Sequence, residues 1–335
     1  MRLAVIGCGS IGARHLKNLR SLGYADLIAV DPDPGARGKV EQELGLTVLE
    51  NLEAVWDRRP EAVLVTGPTQ LHREIAWAAV RRGCHLFVEK PLAHTLEEVP
   101  ELIQAAEERG LITMVGCNMR FHPGPRAVKR RLEEGAIGLP LAARLQTGSY
   151  LPRWRPGQNY RESYSASPLW GGAILDCIHE IDLALWFLGQ AQVVGAAVLP
   201  AQTLGLSTDG LAEILLRHES GALSNVHLNF IQRDYRRTCQ VIGTAGTVYW
   251  NIQDRVVRVC GEDGVTVKEW PGPDNYDLNR MYLDEMEHFL SCVEGRRPTV
   301  NPLADGAAVL KVALAAREMA RTRGAGEIGQ GDTRA

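Results

Sequence analysis

No apolar run in this 335-residue chain approaches membrane length, and no charge of one sign dominates it. The formal net charge is −3. A chain so close to neutrality lacks the basic surplus that phosphate backbones and anionic bilayers attract, so neither nucleic acid nor membrane is expected as a partner. A membrane span needs ~20 consecutive apolar residues, and none is expected here. The first apolar stretch runs straight into a glycine-rich turn, which argues for a cytoplasmic chain without a secretory leader. The seven cysteines are odd in number, scattered, and never arranged as C-x-x-C. A disulfide framework and a structural zinc site are therefore not expected, and the thiols read as reduced, buried small hydrophobes. Internal repeats and low-complexity segments are also missing. What remains is an ordinary globular composition in a chain long enough for two domains.

The strongest positive feature lies at residues 3–15, Leu-Ala-Val-Ile-Gly-Cys-Gly-Ser-Ile-Gly-Ala-Arg-His. An apolar strand enters G-x-G-x-x-G, and a helical pattern (Ile11, Leu16, Leu19, Leu22) follows. Gly7 permits the tight turn, Gly9 lets the backbone approach a pyrophosphate, and Gly12 lets helix pack on strand. The N–H groups at the helix start, around Ser10 and Ile11, then face the anion. A second strand, Leu27 to Val30, ends in Asp31. An acid about twenty residues past the fingerprint is what a ribose 2′-hydroxyl needs. Asp31 accepts from ribose hydroxyls and repels a 2′-phosphate, so NAD is expected over NADP. The alternative is a mononucleotide-type turn in which Asp31 merely precedes Pro32.

The first ~120 residues alternate strand and helix. Strands are expected at 2–6, 26–30, 61–65, 84–88 and 112–116, with helices at 10–22, 34–44, 69–82 and 95–109. That alternation implies a parallel, doubly wound α/β sheet. After Phe121 the texture changes. A helix at 123–134 and a strand at 139–149 precede a loop at 150–168 and a helix at 171–188. Seven strand candidates follow, between 192 and 269, then helices at 277–294 and 303–322. The expected organisation is a dinucleotide-binding domain over 1–121, an α+β domain with a largely antiparallel open sheet over 122–323, and a tail at 324–335.

Two further segments carry reactive side chains. Strand 84–88 runs into Glu89-Lys90-Pro91. The carboxyl end of a parallel strand is where open α/β sheets place ligands, and a lysine there is a usable proton donor or electrostatic anchor. Alone, the tripeptide reads first as a solvated turn. In Asp176-Cys-Ile-His179-Glu-Ile-Asp182 three polar residues recur every third position, on one face of a helix. A histidine between carboxylates suits general acid/base work, and the same pattern fits a polar face with an ion pair. No third and fourth ligand completes a metal site, so no metal is expected. His15, one turn past Gly12, reads as packing rather than cofactor contact. Arg126, Lys129, Arg130 and Arg131 read as a solvated helix face.

Taken together and in order, several of these motifs resemble the glucose–fructose oxidoreductase / inositol dehydrogenase (Gfo/Idh/MocA) family. They are the glycine fingerprint with His15, Pro68-Thr69-x-x-His72, Glu89-Lys90-Pro91, Arg120-Phe121, and Gly-Gly…Asp176…His179-x-x-Asp182. The resemblance covers nearly the whole chain. It implies an NAD(P)-dependent sugar or polyol dehydrogenase in which Lys90 and His179 flank the substrate carbon, with Asp176 beside them. It assigns Pro68, Thr69, His72, Glu89 and Lys90 to the cofactor side. It further implies a homodimer or homotetramer formed through the C-terminal sheet. The family pattern has three residues between the aspartate and the histidine, whereas only Cys177 and Ile178 intervene here. An NAD-retaining epimerase or glycoside-cleaving relative, and a non-catalytic cofactor-binding sensor, are the alternative readings.

The loop 150–168 is the most individual part of the chain. Arg153, Trp154, Arg155, Tyr160, Arg161 and Tyr164 combine sugar-stacking faces with carboxylate- or phosphate-binding forks. Asn118 and Arg120 are further substrate candidates. This composition suggests a negatively charged substrate such as a sugar acid or nucleotide sugar. A surface or inter-subunit loop explains the same residues.

Overall fold

The computed structural model describes residues 1–323 and divides them into two compact units. The expected tail, 324–335, lies outside the described residues. One unit comprises Met1–His122 with Asp274–Leu310, and the other comprises Pro123–Pro273 with the residues from Lys311. The single boundary read from the sequence thus meets a chain that returns to its first unit after Pro273.

The first unit holds a six-stranded sheet: β1 Leu3–Ile6, β2 Leu27–Val30, β3 Val48–Leu49, β4 Ala62–Val65, β5 His85–Glu89 and β6 Thr113–Gly116. The order is β3-β2-β1-β4-β5-β6, and every pair is parallel. Strands β1 and β4 are buried at every residue, as unalternating apolar runs require when both faces are covered. Edge strand β3 has only two residues, too few for a periodic signal, and was not among the expected strands. Helices α1 Ser10–Ser21, α2 Pro34–Leu44, α3 Glu53–Asp57, α4 Thr69–Arg81 and α5 Val99–Glu108 connect them. Strand order reverses between β1 and β4, which opens a ligand crevice at the carboxyl ends of the strands.

The second unit opens with α6 Pro123–Glu133 and β7 Pro140–Tyr150, then α7 Ala173–Asp176 and α8 His179–Leu188. Strands β8 Ala191–Pro200, β9 Asp209–His218, β10 Leu223–Asn229, β11 Ile231–Gly243, β12 Gly246–Asn251, β13 Val256–Gly261 and β14 Val267–Pro271 complete an eight-stranded sheet. Its order is β14-β13-β12-β11-β7-β10-β9-β8, antiparallel throughout except for β7 beside β10. One face carries Leu145, Val226, Cys239 and Trp250, all buried. The helix expected at 171–188 is two helices: Cys177 leaves helical geometry at φ −94°, ψ 28°, and α8 begins anew at His179. Asp176 and His179 therefore do not share one continuous helical face.

Helices α9 Asn279–Gly295 and α10 Leu303–Arg323 end the described chain. Within the first unit, α9 lies against α1 and β6, and Phe289 meets Phe87 edge-on at 5.7 Å. Asn279 also donates to Asn18 on α1 at 2.8 Å. This packing explains why Asp274–Leu310 belongs with the parallel sheet: α9 buries Met281, Met286, Phe289 and Leu290, each worth roughly 1.5–3 kcal/mol.

Candidate active site

The glycine turn after β1 has two tight glycines and one open one. A Cβ on Gly7, whose φ is +100°, would lie 2.6 Å from the Gly67 backbone. A Cβ on Gly12 would lie 1.8 Å from the Gly7 carbonyl oxygen. A Cβ on Gly9 would meet nothing within 4 Å. The first two positions are closed by protein packing, while the third faces open space. That space lies before the N-terminus of α1, where Gly9 is the N-cap without a side-chain cap and the first turn carries no acid. Unsatisfied N–H groups and the positive end of the helix dipole thus face the open space beside Gly9, the arrangement that favours an anion such as a diphosphate. Asp31 braces the same turn: its Oδ2 accepts from Cys8 N at 2.6 Å and its Oδ1 from Asp33 N at 2.8 Å. Arg37 donates to the carbonyls of Asp31 and Pro32. The residues present fit a dinucleotide.

Two buried histidines, His15 on α1 and His72 on α4, bond to the residues at the end of β5. His15 is fully buried, and its Nε2 lies 2.7 Å from Glu89 Oε1. Its ring also meets Phe87 and Tyr282 edge-on. Glu89 Oε2 accepts from the Lys90 backbone N–H at 3.2 Å. His72, on α4, lies with Nδ1 2.9 Å from the Pro91 carbonyl and Nε2 2.9 Å from the Gly67 carbonyl. Burial lowers the His72 pKa against the raising effect of those carbonyls. Pro68 is the N-cap of α4 and Thr69 is its first residue. The Lys90–Pro91 peptide is cis. Glu89 and His72, both expected on the cofactor side, here bond to protein groups that hold the Lys90 turn. Asn118 and Arg120 sit in a buried 3₁₀ turn beyond β6. Arg120 donates to Val300 O at 2.6 Å and pairs with Asp305 at 3.1 Å, so its guanidinium anchors the returning chain.

In the second unit the Gly171-Gly172 turn leads into Asp176 and His179, both buried. Asp209 on β9 accepts from Ile174 N at 2.8 Å, capping the start of α7 from another strand. Its other oxygen pairs with Arg317 at 2.6 Å, and Arg317 also donates to the Gly171 carbonyl. One residue past His179, Glu180 is 1% exposed and pairs with Arg237 on β11 at 2.7 Å. Burial opposes the Arg237 charge, and the Glu180 carboxylate overcomes it, holding the guanidinium protonated beyond the usual arginine range. Asp209, Arg317 and Arg237 were not among the expected residues. A glutamate inside an apolar helix signals a cation partner, but nothing in the sequence says which arginine.

The aromatic–arginine loop is partly self-contained. Trp154 Nε1 donates to Ser149 Oγ at 2.8 Å and its ring meets Phe230 edge-on, so this tryptophan packs against the sheet. Tyr160 and Arg161 both donate to the Leu204 carbonyl. Arg155 lies 5.0 Å from the Tyr164 ring centroid. Arg153 lies 5.8 Å from the Tyr150 ring centroid.

All seven cysteines are free thiols, six of them buried. Burial pushes Cys8 and Cys239 up to about 12 and Cys84 up to about 11, which keeps these thiols protonated. Among the described residues no helix is long and apolar enough to cross a membrane.

Comparison with known proteins agrees with this geometry. The family described as "Oxidoreductase family, NAD-binding Rossmann fold" matches residues 1–117, and the "GFO/IDH/MocA C-terminal domain" matches residues 126–249. The scyllo-inositol 2-dehydrogenase (NAD(+)) of Bacillus subtilis (strain 168) is 30% identical over 331 residues, 94% of this chain and 93% of that one. The 1,5-anhydro-D-fructose reductase of Ensifer adhaerens is 28% identical over 339 residues, 98% and 99% of the two chains. A solved levoglucosan dehydrogenase in complex with NADH shares the fold, with a TM-score of 0.85 at 23% identity, covering 96% of this chain and 97% of its own. With the glycine turn, Asp31 and the two-unit architecture in place, this chain belongs to the Gfo/Idh/MocA family of NAD-dependent oxidoreductases.

Proposed function

We propose that this chain transfers a hydride between NAD and a hydroxyl or keto carbon of a sugar, sugar acid or nucleotide sugar. The observation that carries the reading is the open space at Gly9 before an uncapped helix N-terminus, with Lys90 at the carboxyl end of β5 in the same unit. Bound NAD supplies the hydride acceptor at its nicotinamide ring. The roles that the family resemblance assigns are consistent with the local chemistry. His179 takes the hydroxyl proton as the carbon loses hydride, and the Lys90 ammonium donates to the developing alkoxide oxygen. Asp176 orients the substrate hydroxyls. The protein acts in the cytoplasm, with the second unit, Pro123–Pro273 and the residues from Lys311, forming the substrate and oligomer domain. The polar sheet face bearing Gln146, His227, Gln240 and Tyr249, which borders a 490 Å³ hollow, supports a homodimer or homotetramer through that sheet.

The test is a panel of polyols, sugars and sugar acids with NAD, followed at the absorbance of the reduced cofactor. Lys90→Ala and His179→Ala should each cut turnover by ~10²–10⁴-fold while NADH affinity stays within about twofold. A variant keeping full turnover, or losing NADH, removes that residue from its role. No turnover across the panel, together with no NADH binding, overturns the reading itself.

A further inference from the structure

Residues 232–235 of β11 have no registered partner on β7. Ile231 pairs with Tyr150, and the next registered pair is Arg236 with Gly148, so β11 bulges between them. Bulges of this kind re-aim side chains. This one is built rather than loose. Asn229 Oδ1 accepts from the backbone N–H groups of Ile231 and Gln232, at 3.2 and 2.8 Å. A Cβ on Gly148 would lie 2.2 Å from Gln232 Oε1, so the glycine leaves room for the bulge. The bulge presents Arg233, whose guanidinium lies 4.1 Å from the centroid of the Tyr150 ring. Arg153 approaches the same ring at 5.8 Å and donates to the Arg233 carbonyl at 3.3 Å.

Two guanidiniums therefore approach one aromatic ring, and like charges brought near each other repel. Among the described residues neither has a carboxylate at ion-pair distance. The one acid in the bulge, Asp234, is paired with Arg236 at 2.6 Å. A guanidinium held against a ring keeps a planar fork of N–H donors, the chemistry that binds a carboxylate or phosphate in bidentate fashion. Four residues along β11 from Arg233, Arg237 holds Glu180, the neighbour of His179. Four residues of extended chain span at most ~13 Å, so the Arg233 backbone lies within that distance of the strand position that holds Glu180.

We propose that Arg233, with Arg153, forms an anion subsite on Tyr150 that binds a carboxylate or phosphate group of the substrate. This deepens the dehydrogenase reading and rests on it. The subsite sets specificity: it discriminates charged from neutral sugars and takes no part in hydride transfer.

The test uses the whole protein saturated with NADH, so that the cofactor site cannot take the probe. Dissociation constants are measured by calorimetry for glucuronate, glucose 1-phosphate and glucose. At least one anion should bind about 10-fold tighter than glucose, the factor one charge-assisted contact supplies. A glucuronate preference assigns a sugar acid, and a glucose 1-phosphate preference assigns a phosphorylated or nucleotide sugar. Arg153→Gln with Arg233→Gln should abolish the preference and leave glucose affinity unchanged. Arg233→Lys, which keeps charge but loses the fork, should fall between, and it stands in if the double variant fails to fold. Equal binding of all three probes, no binding of any, or an undiminished preference in the variants overturns the proposal. A changed assembly mass with unchanged affinities overturns it in favour of a subunit contact. Wild-type protein that fails to bind NADH instead overturns the dehydrogenase reading, which separates the two failures.

Discussion

The two units hold their reactive segments by different means. Around Lys90 the supports are buried imidazoles: His15 on Glu89, and His72 between Gly67 and Pro91. Around His179 they are arginine–carboxylate pairs: Glu180 with Arg237, and Asp209 with Arg317. Every member of the first set stands in a motif near the start of the chain. The second set joins helices to strands 57 and 108 residues away. A parallel α/β sheet brings its strand ends together by local crossovers, so short motifs suffice to brace one turn. An antiparallel sheet with long returns has no such local geometry, and strong directional pairs fix its helix instead.

The contrast can be broken first at Arg237. Arg237→Ala leaves the Glu180 carboxylate buried without its guanidinium, and removing one partner of such a pair costs about 3–5 kcal/mol. Urea unfolding should show that loss, and replacing both partners together (Glu180→Leu, Arg237→Met) should recover most of it. A single variant as stable as the parent would mean that the pair does not brace the helix.

The next largest effect is expected at the glycine turn. Gly12→Ala places a Cβ against the Gly7 carbonyl and should cost about 1–3 kcal/mol or more, together with NADH binding. Gly9→Ala should unfold like the parent yet bind NADH poorly, because its methyl enters the open space before α1. Equal stability losses for the two would contradict the division into packing and ligand-facing glycines.

Acid should then separate the imidazole supports from the ion-paired ones. Burial lowers the folded pKa of His72, so the unfolded chain binds the proton more tightly. The stability that neutral His72 contributes is complete above the unfolded pKa of about 6.5 and is lost as pH falls below it. Burial shifts His218 in the same direction in the second unit, where its ring lies against Gly189 O and Ser224 Oγ. Stability measured from pH 7.5 to 5 should fall on acidification, and His72→Gln should flatten the slope. An unchanged slope in that variant would show that His72 carries none of the acid sensitivity.

The smallest effect is expected at Asp31. Asp31→Ser should shift preference from NAD toward NADP by about 10-fold, near 1.4 kcal/mol. Equal titrations of both cofactors by the parent would contradict the role given to the carboxylate.

Much of the parallel sheet was legible because fully buried strands read as apolar runs and amphipathic helices fall between them. The strand series of the second unit was legible from its turn residues. The break at Cys177 was not, because the apolar residues around it keep helical spacing through the interruption. Nor was the return of Asp274–Leu310: α9 has the periodicity of any amphipathic helix, and periodicity does not name the sheet it packs on.

The sequence by itself determined the cofactor turn, the family, and the identity of Lys90 and His179 as candidates. Each is encoded within a few consecutive residues whose backbone conformation is local. Only the tertiary structure decided the partners: His15 with Glu89, Glu180 with Arg237, Asp209 with Arg317, and Arg233 with Arg153 on one tyrosine. A charge or imidazole in a sequence announces that it needs a partner. Which partner it finds depends on strand order and register, and these are fixed by long-range packing rather than by neighbours in the chain.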